Sequence, residues 1–145
     1  MSRDAVVEDL YRQLNTLFRR SRELGNDLHP GLSLVGYTFL SMVQSTPDIR
    51  AADLADQLSL DKSTVSRQLN QLFDAGFLDR AGGRPGRRGD PLSLTRAGRR
   101  ALANDAERVR CQLTRWTAEW ADGDVALLAS LMCRFNASVA ESLAS

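Results

Sequence analysis

At 145 residues the chain has the size of one domain, enough for a core but without room for an added catalytic domain. Nineteen basic residues stand against eighteen acidic ones, a net charge of +1, which excludes neither a polyanionic partner nor a neutral one. The start Met1-Ser2-Arg3-Asp4 opens no apolar signal region, and the apolar stretch Leu32–Val43 is too short to span a bilayer, so a cytoplasmic protein with no membrane partner is expected.

In chain order, Val6, Leu10, Leu14, Leu17 and Phe18 recur at helical spacing and predict an N-terminal amphipathic helix. His29 beside Pro30 is the one histidine and has few partners for a metal, so it reads as a turn residue. Leu34, Tyr37, Phe39, Leu40 and Val43 predict a core helix that ends near Thr46-Pro47.

The stretch from Ala52 to Thr95 carries the most information. Leu54, Ala55 and Leu58 lie on one helix face, and Ser59-Leu60 breaks the pattern before Asp61, a good N-cap for a second helix. That second helix sets Val65, Leu69, Leu72 and Phe73 on its apolar face, and Ser63, Ser66, Arg67 and Asn70 on the other. Short hydroxyls, an amide and a guanidinium suit a helix pressed into a major groove, where Asn pairs with adenine and Arg with guanine. The same residues also suit an ordinary solvated helix face.

Gly76 is a candidate left-handed cap, and Phe77–Arg80 and Leu92–Thr95 alternate as two strands of a hairpin. Between them, AGGRPGRRGDP holds four glycines, two prolines and three arginines, a loop with nothing apolar to anchor it. A flexible basic finger fits a minor groove, so Arg84, Arg87 and Arg88 are the wing candidates, against a solvated basic turn. Two short helices followed by such a hairpin make a winged helix-turn-helix.

Charge is distributed in the same sense. From Arg50 to Arg100 ten basic residues face six aspartates, net +4, which leaves −3 for the remainder. Eighteen of the nineteen basic residues are Arg, so guanidinium forks dominate any phosphate contact.

Beyond Thr95, an expected N-cap, Leu102, Ala106, Val109, Leu113, Trp116 and Trp120 step by four and three in a heptad seam. A helix from Arg96 to about Ala121 would reach roughly 39 Å at about 1.5 Å per residue. After a break at Asp122-Gly123-Asp124, a last helix carries Leu128, Leu131, Met132, Phe135, Val139 and Leu143 on one stripe. These terminal helices offer more apolar face than a monomer hides, so residues 1–30 and 96–145 are expected to form a two-fold dimerisation region around a winged region at 31–95. The alternative is an intramolecular three-helix bundle. The dimer candidates are Leu10, Leu14, Leu17, Leu113, Trp116, Trp120, Leu128, Phe135 and Val139. The fold class is thus mainly α (α+β), one compact domain overall.

Several linked pieces, in order, resemble the MarR-type transcriptional regulators across nearly the whole chain. They are Asp53-Leu54-Ala55, Leu60-Asp61-Lys62-Ser63-Thr64-Val65-Ser66-Arg67, Leu72 with Gly76-Phe77-Leu78 and Arg80, and Leu94-Thr95-Arg96-Ala97-Gly98. The resemblance implies a homodimer that presents Lys62, Ser63, Thr64, Ser66, Arg67 and Asn70 to duplex DNA. It also places Arg88 on the family's wing arginine. Gly86 stands where the family has an aspartate, and Asp90 is the carboxylate that can fold back in its place; the alternative is a more mobile tip.

The expected function is sequence-specific binding of double-stranded DNA at a palindromic promoter site, acting as a repressor. The resemblance adds a pocket for a small aromatic or lipophilic effector, for which Tyr11, His29, Tyr37 and Trp116 are candidates, although they equally suit core and interface positions. Rival readings are a winged-helix protein-interaction module, an effector-independent DNA factor, and a cysteine-based redox sensor. Cys111 and Cys133 have no metal or redox spacing, and buried inert thiols are the plainer reading. No nucleophile with a base, no phosphate loop and no paired carboxylates are evident, so neither an enzyme nor a cofactor or metal is expected.

Overall fold

The computed structural model describes residues 2–28, 31–81 and 87–144, with the side chains of residues 22 and 26–28 outside that description. Its elements are α1 (Arg3–Leu28), α2 (Leu34–Ser45), α3 (Ala51–Leu58), α4 (Lys62–Asp74), β1 (Leu78–Arg80), β2 (Leu92–Leu94), α5 (Arg96–Trp116) and α6 (Asp122–Leu143). This is a mainly helical chain with one antiparallel hairpin, a winged helix-turn-helix with long helices before and after it. Chain contacts divide it into two compact units, Met1–Val109 and Arg110–Ser145.

The first unit holds the core. Phe39, Leu40 and Val43 of α2, Leu54 of α3, and Val65, Leu69 and Leu72 of α4 are buried together with Ile49, Leu78, Leu92 and Leu102. Burying each such side chain stabilises the fold by about 1.5–3 kcal/mol. The helical periods of α3 and α4 thus face inward as their sequences require, with Ala55, Leu58 and Phe73 half-buried beside them.

Caps set the helix boundaries. Ser33 accepts the Gly36 N–H at 2.9 Å to start α2. Ser59 ends α3 in the left-handed region, φ 52°, and the Leu60 N–H returns to the Ala55 carbonyl at 3.0 Å. Two residues later Asp61 starts α4. Its carboxylate accepts the Ser63 hydroxyl, the Thr64 N–H at 2.7 Å and the Thr64 hydroxyl at 2.9 Å. Those hydrogen bonds, the Ser63 one foremost, lower its pKa from the ordinary 3.8 to about 2.

The hairpin pairs Leu78 with Leu94, Asp79 with Ser93 and Arg80 with Leu92. On its other edge the Leu92 N–H donates to the Ile49 carbonyl at 2.8 Å, which ties the wing to the loop before α3. Gly76 adopts φ 76° and turns the chain from α4 into β1.

Thr95 caps α5 by accepting the Gly98 N–H at 3.0 Å, while its own hydroxyl donates to the Gly76 carbonyl at 2.6 Å. Gly98 is buried against β1's approach: a Cβ there would lie 2.0 Å from the Phe77 carbonyl oxygen.

The long helix is shorter than its seam suggests. α5 closes at Trp116, about 31 Å from its start at about 1.5 Å per residue. The Ala118 N–H reaches back to Arg115 and the Trp120 N–H to Thr117, tightening the chain into a turn. Trp120 therefore lies in the connection, not on α5. Asp122 and Asp124 fall in the first turn of α6, where carboxylates favour the positive helix end.

Along α6 no residue is buried. Leu128, Leu131, Met132, Phe135 and Val139 are all exposed in the single chain, as are Leu113, Trp116 and Trp120. Both cysteines are exposed too, contrary to the buried placement expected from sequence, because the helix faces that carry them are uncovered. On α1, Leu10 and Leu17 are exposed and Leu14 half-buried.

Two measurements probe this scaffold. Gly98→Ala should destabilise the fold by about 1–3 kcal/mol, because the obstacle is backbone that cannot rotate away; thermal unfolding with an unchanged midpoint would refute the close approach. Asp61 titrates lower when folded than when unfolded, so its contribution is complete above about pH 4 and fades as pH falls towards about 2. The melting-temperature gap between the wild type and Asp61→Ala should therefore be widest near neutral pH and close on acidification.

Candidate nucleic-acid interface

The outward face of α4 is set by the burial of Val65, Leu69 and Leu72, which turns Lys62, Ser63, Arg67 and Asn70 to solvent and leaves Ser66 half-exposed. Lys62, Ser63, Ser66, Arg67 and Asn70 line one open cleft of about 580 Å³, joined by Gln71, Asp74 and the wing residue Arg88. The polar face of α4 and Arg88 of the hairpin turn thus share a surface. Gln71 and Asp74 were not singled out from sequence, although they lie one helical turn from Arg67 and Asn70 on the same face.

Not every hydroxyl there is equally free. Ser63 and Thr64 donate to Asp61, so each retains only acceptor lone pairs for a partner. The polar groups of Ser66, Arg67 and Asn70 are not engaged by the Asp61 cap, and Lys62, at the first position of α4, adds charge at the helix start.

A second cleft of about 610 Å³ lies between α3, α4 and the wing. Its floor is apolar, from Ala51, Ala55, Val65 and Leu69, and its polar lining is Lys62, Ser66, Asn70, Arg80 and Arg88, with no carboxylate. Arg80 packs over the Phe73 ring, 4.8 Å from the centroid. Its Nη1 is buried and, among the described residues, has no hydrogen-bond partner. Leaving such a donor unmade costs about 1–3 kcal/mol.

The base of the wing is more ordered than its glycines suggest. The Arg87 N–H donates to the Asp90 carboxylate at 2.6 Å and the Asp90 N–H returns to the Arg87 carbonyl at 3.0 Å, closing a tight turn. Asp90 does fold back, but onto backbone.

Gly89 within that turn takes φ 93°, and its carbonyl accepts Nη1 of Arg50. Arg50 stands at the N-cap of α3, where its own N–H donates to Asp53 at 2.8 Å. One arginine therefore fastens the wing turn to the helix-turn-helix. Its signal in the sequence was an arginine where a small polar cap is usual. Arg87 and Arg88 keep exposed side chains on this turn, while Arg84 lies outside the described residues.

The pocket candidates are less convergent. Tyr37 packs half-buried against the core, whereas Tyr11 is 66% exposed and Trp116 45% exposed, and His29 lies outside the described residues. Neither of the two clefts above is lined by Tyr11, Tyr37 or Trp116.

Among the described residues no group of His, Cys, Asp or Glu could hold a metal ion, and no helix is long and apolar enough to cross a membrane.

Comparison with known proteins agrees with this architecture. The MarR family model matches residues 32–81, which contain α2, α3, α4 and β1. No curated protein matches the sequence. Among solved structures, the chain is similar to a MarR family protein from Bacillus stearothermophilus, at 13% identity and TM-score 0.80, covering 97% of this chain and 99% of that one. It is similar to RV1404 from Mycobacterium tuberculosis, at 21% identity and TM-score 0.72, over 97% and 95% of the two chains. It is also similar to the PcaV transcriptional regulator from Streptomyces coelicolor, solved with its natural ligand, at 20% identity and TM-score 0.63, over 87% and 91%. Residues 32–81 thus match the MarR family model, and the chain shares its fold over nearly its whole length with these solved structures.

Proposed function

We propose that this protein is a sequence-specific, double-stranded DNA-binding transcription regulator that works in the cytoplasm as a homodimer on a palindromic promoter site. The observation that carries the reading is the shared cleft: Ser66, Arg67 and Asn70 of α4 and Arg88 of the wing face the same space. A helix in the major groove and an arginine in the adjacent minor groove need that juxtaposition.

The dimer reading rests on the uncovered apolar faces of α1, α5 and α6, too extensive to leave in water. Two-fold symmetry sets paired recognition helices about one DNA turn, about 34 Å, apart. Residues 1–30 and 96–145 would supply the dimer contacts and 31–95 the DNA contacts. Repression follows if the dimer covers a promoter, and an effector would relieve it by binding a different spacing of the two reading heads more tightly. The ligand-bound PcaV structure supports looking for such an effector, with Tyr11, His29, Tyr37 and Trp116 as the residues to test.

The function does not call for catalysis, and neither cofactor nor metal enters it. Selection of duplexes from a random pool tests partner, symmetry and specificity together, and a palindromic consensus is the expected result. Binding should weaken by orders of magnitude between about 50 and 200 mM salt. Indifference to salt would instead favour a protein partner.

On such a duplex, Arg87→Ala and Arg88→Ala should each reduce the salt slope by about one and weaken all sequences alike. Asn70→Ala and Ser66→Ala should change the preferred base, by about 1–3 kcal/mol for a good contact. Four variants that bind as the wild type does would refute the docking. In sedimentation experiments, Phe135→Asp should convert a dimer to single chains; a wild type that sediments as a single chain at all concentrations would end the dimer reading.

A further inference from the structure

We infer that the cleft between α3, α4 and the wing is a seat for one phosphodiester of the DNA strand that runs between the two grooves, and that Arg80 is its principal ligand. The inference rests on the DNA reading above. It adds Arg80 to the residues proposed to touch DNA and gives it a defined seat.

Three cationic side chains, Lys62, Arg80 and Arg88, line the cleft together with the neutral donors Ser66 and Asn70, and no carboxylate opposes them. An anion is the complementary occupant. The apolar floor strengthens that preference, since charge pairs are worth more where water is displaced.

Arg80 supplies the specific observation. It sits above Phe73 with Nη1 buried and unpartnered among the described residues, so its present position wastes a donor. A guanidinium swung from the ring into the cleft recovers that bond by donating two parallel N–H groups to phosphate oxygens.

Position selects the source of the phosphate. The cleft lies between the polar face of α4 and the wing arginine, and the backbone strand that separates a major from a minor groove must pass between elements inserted in each.

The test uses the full chain and a palindromic duplex recovered by selection, with single methylphosphonates stepped through one half-site. For the wild type, one position should stand out, with about tenfold loss on neutralisation. Arg80→Gln should bind the unmodified duplex about tenfold less tightly, with a salt slope lower by about one and an unchanged base preference, and should lose its sensitivity at that one position. If Arg80→Gln fails to fold by circular dichroism, Arg80→Lys carries the test. It keeps the salt slope but shows a shallower methylphosphonate effect, because an ammonium cannot donate as a fork.

Duplex binding with unchanged slope and unchanged methylphosphonate profile would overturn this assignment alone. Inorganic phosphate shifting the Arg80 guanidinium resonances, with duplex binding indifferent to Arg80, would make the cleft a free-anion site and overturn it as well. Failure of the wild type to bind any duplex would remove the DNA reading, and this inference with it.

Discussion

The close approach of α5 to the Phe77 carbonyl is the constraint on which the rest depends. At that point the end of α4, the first strand and the start of α5 converge, and only a residue without a Cβ fits. Thr95 completes the junction, since it caps α5 and holds Gly76 with one hydroxyl while its N–H binds the Phe77 carbonyl at 3.1 Å. α4, the hairpin and the first turn of α5 are thereby tied together within the first unit. Rotation of α5's first turn would have to disturb the base of the wing.

A second fastening controls the wing from the opposite side. Arg50 reaches from the α3 cap to the Gly89 carbonyl, and Leu92 pairs with Ile49, so the hairpin is gripped at its turn and along its edge. This gives mechanical meaning to Asp90. Where the family pattern has an aspartate two residues before the wing arginine, this chain has Gly86, and the carboxylate comes instead from beyond the arginine and binds backbone. Among the described residues no carboxylate pairs with the Arg87 or Arg88 guanidinium, and both side chains are exposed.

Much of this was legible in the residues. The periods of Leu54, Leu58, Val65, Leu69 and Leu72, the Asp61 and Thr95 caps, and the glycine at 76 each rest on local chemistry, and local chemistry is what a single sequence carries. The fold and the polar face of α4 follow from them. Less legible were features made by contacts distant along the chain. The grip of Arg50 on Gly89 spans thirty-nine positions, and Arg80 read as a strand residue although it lies in a cleft made with Lys62 and Asn70. The heptad spacing runs on to Trp120 although Thr117 and Ala118 turn the backbone before it, because spacing alone does not mark a helix end. The thiols of Cys111 and Cys133 are exposed although hydrophobic residues stand near them in sequence, because such neighbours do not guarantee cover within one chain.

The uncovered helix α6 has a consequence for how the molecule holds together over time. A helix with no buried side chain gains little from tertiary packing within its own chain, and such packing is where most helical stability in proteins comes from. Any second copy that covers Leu128, Met132 and Phe135 adds its binding free energy to the folding of that segment, by mass action. With such a copy in place, order in α6 would depend on how much protein is present.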